Sequence, residues 1–227
     1  MITDLSIYAY ITFSIATLFS LVLFYFASNR SLKFIVIIVL WGILHSILAM
    51  LGFYENTRTI PPRFFLLVIP MVAIVLSSVF SMNMKNWLST MNLKMLTYLH
   101  MVRIPVELVL YWLFLGKYVP ELMTFKGLNF DMLAGITAPI IALLAFRNNK
   151  MNKLLLWSWH LFSIILLLNI LILAVLSTPT VLQQFAFEQP NIAVMKFPFI
   201  LLPTIIVPIV LISNMAGFVL LKKDRLT

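Results

Sequence analysis

Cysteine is absent from the 227 residues, which excludes disulfides, thiolate zinc sites and cysteine nucleophiles. Charge is scarce at 10% of residues, and the 7 acids are outnumbered by 16 lysines and arginines. No basic residue precedes the first apolar run in MITDLSIYAY, so that run lacks the positive flank of a secretory signal and reads as a retained first helix. The glycine needed for myristoylation is missing as well. No G-x-S-x-G elbow, H-E-x-x-H helix or phosphate-binding loop occurs, which removes the familiar hydrolase, zincin and nucleotidase signatures. The last apolar run holds no lysine for a retinal Schiff base. The aspartates Asp4, Asp131 and Asp224 all read as lying near the ends of runs, too shallow for a paired-aspartate protease.

What remains is grease. Hydrophobic residues make up 63% of the chain and the mean hydropathy is +1.07, far from a soluble domain. Apolar runs fall at 7–28, 34–53, 64–83, 95–116, 130–146, 154–177 and 197–221, without the period of two that barrel strands would show. The expected fold is an all-α integral membrane protein, a bundle of seven transmembrane helices forming a single domain over 1–227. The fifth run is short, on the order of 25 Å, so it is expected to begin within LNFD with Asp131 near its N-cap.

Basic residues set the orientation, because they accumulate on the cytoplasmic side. Arg30, Lys33, Lys85, Lys94, Arg147, Lys150, Lys153, Lys222, Lys223 and Arg225 share one face. Arg58, Arg63, Lys117, Lys126 and Lys196 lie on the other with Asp4, Glu55, Glu121, Asp131 and Glu188, leaving only Asp224 among the inner bases. The N-terminus is therefore expected outside and the C-terminus inside, in a bacterial-type inner membrane. The net charge of +9 then answers to anionic headgroups and topology, with no nucleic-acid partner. Membrane lipids and a small-molecule ligand are the expected partners, and oligomerisation is left open.

One run is unusual. LHMVRIPVELVLYW places His100, Arg103, Glu107 and Tyr111 within an arc of roughly 80° on a helix. Counted inward from Lys94, Arg103 is about 14 Å deep and Glu107 about 20 Å, near the middle of a core ~30 Å thick. Ionisable groups at that depth cost ~2.5–3.5 kcal/mol each and face the bundle interior or a wet cavity. Arg103 and Glu107, four apart, are expected to pair along the helix, although arginine before glutamate is the poorer order. Pro105 has no N–H, leaves the Met101 carbonyl unbonded, and predicts a kink.

Other polar residues extend the candidate site. His160 and His100 lie at equal depth on separate runs, the placement a b-type haem would ask of two axial ligands, or else each is a core histidine bonded to a neighbour. His45, level with Glu107 and on one face with Gly42, Ala49 and Gly52, is either a satisfied core residue or a relay partner for Glu107. No metal site is expected. The last run carries Pro198, Pro203 and Pro208 before Asn214 and should be bent or unwound. Between Ser177 and Lys196, Val181–Phe187 could form an interfacial helix acting as a lid, or a headgroup-level loop anchored by Phe185 and Phe187.

These residues support a ranked set of functions. The first is binding or translocation of a small anionic or protonatable ligand at His100, Arg103 and Glu107, with Tyr111, His45, His160 and Asn214 completing the site. The second is a membrane enzyme acting on a lipid-soluble, isoprenoid-like substrate with Glu107 as its acid or base. A haem electron carrier using His100 and His160, and a structural or assembly subunit in which the stripe is helix glue, follow. The sequence leaves open whether the protein is an enzyme and what cofactor it holds.

Overall fold

A computed structural model of the chain describes residues 5–57, 59–147 and 151–223. Asp4, Arg58, Lys150, Asp224 and Arg225, which enter the charge count by face, lie outside the described residues. Helices begin where the sequence supplies a capping oxygen. Ser6 accepts from the Tyr8 N–H ahead of α1 (Ile7–Ala27), Ser81 from Met84 ahead of α4 (Met82–Leu88), Asn92 from Met95 ahead of α5 (Leu93–Leu99), and Asn152 from Leu155 ahead of α8 (Lys153–Leu176). Helix α2 (Leu32–Met50) ends just before Gly52, whose φ of +70° is the left-handed turn that suits glycine after a helix. The remaining helices are α3 (Phe65–Phe80), α6 (Arg103–Leu115), α7 (Asp131–Ala145) and α9 (Val207–Lys223). The described residues contain no strand.

The chain is a helical membrane protein. Among the described residues five segments are long and apolar enough to cross a bilayer: Ile7–Ala27, Leu32–Met50, Leu93–Leu115, Lys153–Leu176 and Leu202–Lys222. A sixth appears if α3 and α4, bent by 94° at Ser81, are one span. Helix α7, the short fifth run of the sequence, measures only about 22 Å at 1.5 Å per residue.

Helix α9 forms the centre, with 78% of its most apolar stretch buried against 22–50% for the other four long spans. Around it stand α3, α5 and α8, while α1 packs on α5 and α6. Small residues permit this: a Cβ added at Gly217 of α9 would sit 2.6 Å from His160 Nε2 on α8. The last run is locally unwound as its prolines predict: Pro203 lies inside a π-helical turn over Leu202–Ile206, and Pro208 lies in the first turn of α9, which follows it. Gly42 on α2 rests on that turn, its missing Cβ falling 2.6 Å from Ile205 Cδ1.

The two described chain ends lie at opposite ends of the bundle. Leu5 approaches Gly116, just beyond α6, whereas Leu221 clusters with Leu93, Ala145 and Leu156. Of the two alternatives between Ser177 and Lys196, Val181–Phe187 takes the loop and not the interfacial helix: it runs as turns with Val181, Phe185 and Phe187 exposed. The second half of that connection is fastened instead. Gln189 donates to the carbonyls of Phe114 and Val119 at 3.0 and 2.6 Å, and the N–H groups of Ile192 and Ala193 share the Tyr118 carbonyl.

Candidate functional site

Pro105 shapes the centre of the site. Lacking an N–H, it breaks the helical ladder of the span from Leu93 to Leu115, and the chain passes through a 3₁₀ turn at His100–Val102 before α6 begins at Arg103. His100, Arg103 and Glu107 all face inward, with 0%, 2% and 1% of their surface exposed.

Arg103 does not pair with Glu107. Its Nη1 donates to Asp131 Oδ1 at 2.5 Å and to the Ser163 carbonyl at 3.2 Å, and its Nη2 donates to Ser163 Oγ at 3.0 Å. The expectation of a shallow Asp131 fails because the connection between α6 and α7 turns inward, so that α7 starts inside the bundle, about 21 Å from its far end. An aspartate on the first turn also suits the positive end of the helix dipole, which the i to i+4 pair within α6 does not exploit.

Two glycines allow that inward turn. A Cβ at Gly127 would lie 2.4 Å from the Glu121 carbonyl oxygen and 2.5 Å from Leu122 Cα, so the loop doubles back on its own backbone. At Gly135 a Cβ would lie 2.9 Å from Ile104 Cγ1 and 3.1 Å from the Ile104 nitrogen, so α7 rests almost directly on the start of α6. Asn129 knits the loop in place. Its Oδ1 accepts from the Asp131 N–H at 3.0 Å, and its Nδ2 donates to the Met123 carbonyl at 3.0 Å and to Glu107 Oε1. Asn129 and Ser163 were missed by reading the sequence alone; the asparagine two residues before an aspartate in LNFD was the available signal for the first.

The hydrogen bonds around His100 have one consistent direction. Ser213 Oγ donates to the Leu96 carbonyl at 2.9 Å, so it accepts from His100 Nε2 at 3.0 Å. Nδ1 is then the acceptor for Ser163 Oγ at 3.2 Å, and Ser163 accepts from Arg103. A neutral imidazole satisfies every partner. His160 lies beside it, ring centroids 6.0 Å apart, with Nδ1 3.3 Å from Asn214 Oδ1. This pair does not fit a haem. His100 has no free nitrogen to ligate iron, and His160 Nε2 is pressed against Gly217, where even a methyl group has no room. Among the described residues no three histidine, aspartate or glutamate side chains converge on a metal position.

His45 and Tyr111 stand apart from this cluster. His45 stacks near Trp41 and bonds the Tyr54 hydroxyl through Nδ1, not Glu107. Tyr111 packs on Phe125, with Lys126 Nζ 4.8 Å from the centre of its ring. Burial pushes the Tyr54 phenol up to about 12, so the folded protein holds that proton beyond the ordinary value near 10. Stability linked to this group is complete below pH 10 and is lost as the pH rises through 12. Tyr54→Phe should therefore weaken alkali sensitivity between these values while costing about 1–3 kcal/mol at neutral pH for the unpaired His45 nitrogen. Thermal midpoints of both proteins from pH 7 to 11.5 check the two effects together; parallel curves would refute the linkage.

Beside the charged cluster is a cavity of about 300 Å³ between α3, α6, α8 and α9, at the small end of ligand-pocket sizes. Its walls are apolar, with Met71, Val75, Leu110, Leu171, Ile206 and Val210 among them, and its polar groups are Arg103, Glu107 and Asp131. Helix α3 packs chiefly on α9, and α8 on α7 and α9, which leaves a gap between α3 and α8 rimmed by Val72, Leu76 and Leu168, which are 50%, 52% and 46% exposed on the flank that would face lipid. Two buried atoms of these residues, Glu107 Oε2 and Arg103 Nε, have no hydrogen-bond partner among the described residues.

A family model under the description "Domain of unknown function (DUF8737)" matches residues 60–222. That span takes in α3 to α9 and every residue of the Arg103 cluster, and leaves out His45 and Tyr54. No curated protein and no solved structure matches the chain.

Proposed function

The chain belongs to the DUF8737 family, and we propose that it binds a small lipid-soluble amphiphile, which reaches the cavity sideways from the bilayer between α3 and α8 and sets its polar end against Glu107 and Arg103. The observation that carries this reading is an apolar, laterally open cavity whose polar lining residues include Glu107 and Arg103, each with a buried atom that has no hydrogen-bond partner among the described residues. Unpaired buried polar groups cost about 1–3 kcal/mol each, and a ligand that completes them recovers that cost on binding. An anionic ligand, one limb of the sequence-based reading, is disfavoured because the Arg103 charge is already met by Asp131.

In this reading the bundle has seven spans. The inward loop and α7 together cross the remaining thickness, and the N-terminal end of the bundle faces outward, in line with the basic residues near Arg30, Lys94, Lys153 and Lys222. A bacterial-type inner membrane suits that charge pattern. The test is to extract small molecules from protein purified in mild detergent and compare them with the solubilised membrane by mass spectrometry. One amphiphile should be enriched with the wild type and lost with Ala174→Phe, which fills the cavity from α8. Identical extracts from the two proteins would end the proposal.

A second reading, an enzyme on a lipid-soluble substrate, is favoured by the same Glu107 Oε2, an acceptor placed where a general base would stand. Turnover of membrane extract by the wild type, abolished in Glu107→Gln with the extracted ligand still bound, separates catalysis from storage or transport.

A further inference from the structure

We infer that the cavity is a blind slot entered tail-first by one hydrocarbon chain, which makes the ligand a single-tailed lipid selected by the length and slimness of its tail. This rests on the binding reading above and adds what the tail must be.

The slot runs along the helices. Its lining recurs every three or four residues on α3 from Phe64 to Leu76, on α8 from Leu167 to Val175, and from Leu202 to Leu211 through the π-helical turn into α9. At 1.5 Å per residue the stripe on α3 is about 18 Å long, a little more than one leaflet of a hydrocarbon core ~30 Å thick. About 300 Å³ drawn out over that length is a narrow space, suited to one chain and not to a fused-ring body.

The two ends of the slot differ. Toward the Ser177–Lys196 connection, Phe64, Leu67 and Val194 are buried in one cluster, and Val68 and Val175 pack against it, so α3, α8 and the connection close that end with hydrocarbon. At the other end the rims part, and Val72, Leu76 and Leu168 are the exposed members of the lining. The polar cluster lies at this open end as well. Ser163, which holds Arg103, is one turn before Leu167 on α8, and Ser213, which holds His100, is two residues past Leu211 on α9. Hydrocarbon at the blind end and polar residues near the mouth set the direction of entry: tail first, polar end last.

The depth of the mouth selects the lipid. Arg103 is near mid-bilayer by its distance from Lys94, where an acyl chain anchored at either surface is already spent. A two-tailed phospholipid could fill the slot only by drawing its charged head group into the core, at the cost that charge carries there. A single-tailed lipid with an uncharged end moves within the bilayer interior and threads in without that cost.

The experiment uses the full chain in phospholipid nanodiscs with tritiated decanol as the probe, competed by the straight-chain alcohols from octanol to eicosanol, by geranylgeraniol and by cholesterol. Every competitor is an alcohol, so the comparison at equal mole fraction in the bilayer reads the hydrocarbon alone. Competition should improve roughly tenfold from octanol to the chain that reaches Phe64 and Val194 and then level off. Cholesterol should compete roughly tenfold worse than that chain, since overfilling a packed space is costly. Geranylgeraniol against hexadecanol, equal in backbone length, tells an isoprenoid from a straight-chain source. Ala174→Phe, which intrudes one residue before Val175, should move the levelling-off to shorter chains, and the milder Val194→Ala should move it to longer ones. Competition without a break in chain length, a break that neither variant moves while Ala174→Phe weakens every chain alike, or cholesterol equal to the best chain overturns the slot and leaves the cavity reading intact. Decanol binding that does not saturate, or that is the same in Ala174→Phe for every chain, overturns the cavity reading itself.

Discussion

Arg103→Met should cost the bundle about 3–5 kcal/mol, the largest loss expected for any single change outside the backbone. The methionine fills the space but leaves Asp131, 6% exposed, as an uncompensated charge inside the protein. Ser163 loses two donors at once, and with them the hydrogen-bond order that runs on to His100 and Ser213. Arg103→Lys should fall between, since an ammonium can meet Asp131 but cannot fork to both Ser163 oxygens. The informative comparison is the double change Arg103→Met with Asp131→Asn, which removes both charges and should recover much of the stability. Thermal midpoints and monodispersity in detergent for the wild type, Arg103→Met, Asp131→Asn and the double change give the coupling. If Arg103→Met alone behaves as the wild type, the ion pair has no structural weight and the assignment of Asp131 as its counter-charge falls.

The sequence made half of this pair visible. Hydropathy picks out the runs, and 100° geometry puts His100, Arg103 and Glu107 on one inward face, because both signals are local. The partner of Arg103 was out of reach for the same reason. Asp131 follows a loop that reads as surface, and its descent depends on that loop doubling back on itself at Gly127 and on the long-range approach of Gly135 to Ile104. Pairing within the helix was the natural local guess, and a long-range competitor at a helix N-terminus displaced it. The histidines show the same limit from the other side. The sequence placed His100 and His160 only at equal depth, whereas the structure sets them side by side, and depth says nothing of the serines that take both His100 nitrogens or of Gly217 beneath His160. Level placement of His45 with Glu107 did not make them partners, since Tyr54 from the following turn was nearer in the chain and claimed the ring.

Gly127→Ala should then be the most damaging conservative change in the inward loop, and more damaging than Gly42→Ala in a helix. At Gly42 the added methyl meets the tip of the Ile205 side chain, which can rotate away. At Gly127 it meets the Glu121 carbonyl oxygen at 2.4 Å and Leu122 Cα at 2.5 Å, both backbone, so the loop itself must shift. Overpacking of this kind costs about 1–3 kcal/mol, and here the displaced chain carries Asn129 and Asp131 with it. The expected result is therefore double: a lower thermal midpoint, and less amphiphile retained through purification even at temperatures where the protein stays folded, because Glu107 loses the amide that fixes its carboxyl. Gly42→Ala should change neither by much. If Gly127→Ala lowers the midpoint yet retains the amphiphile as the wild type does, the loop is scaffold alone and the orientation of Glu107 is set within α6; if it lowers the midpoint and also loses the amphiphile, the connection between α6 and α7 is part of the site.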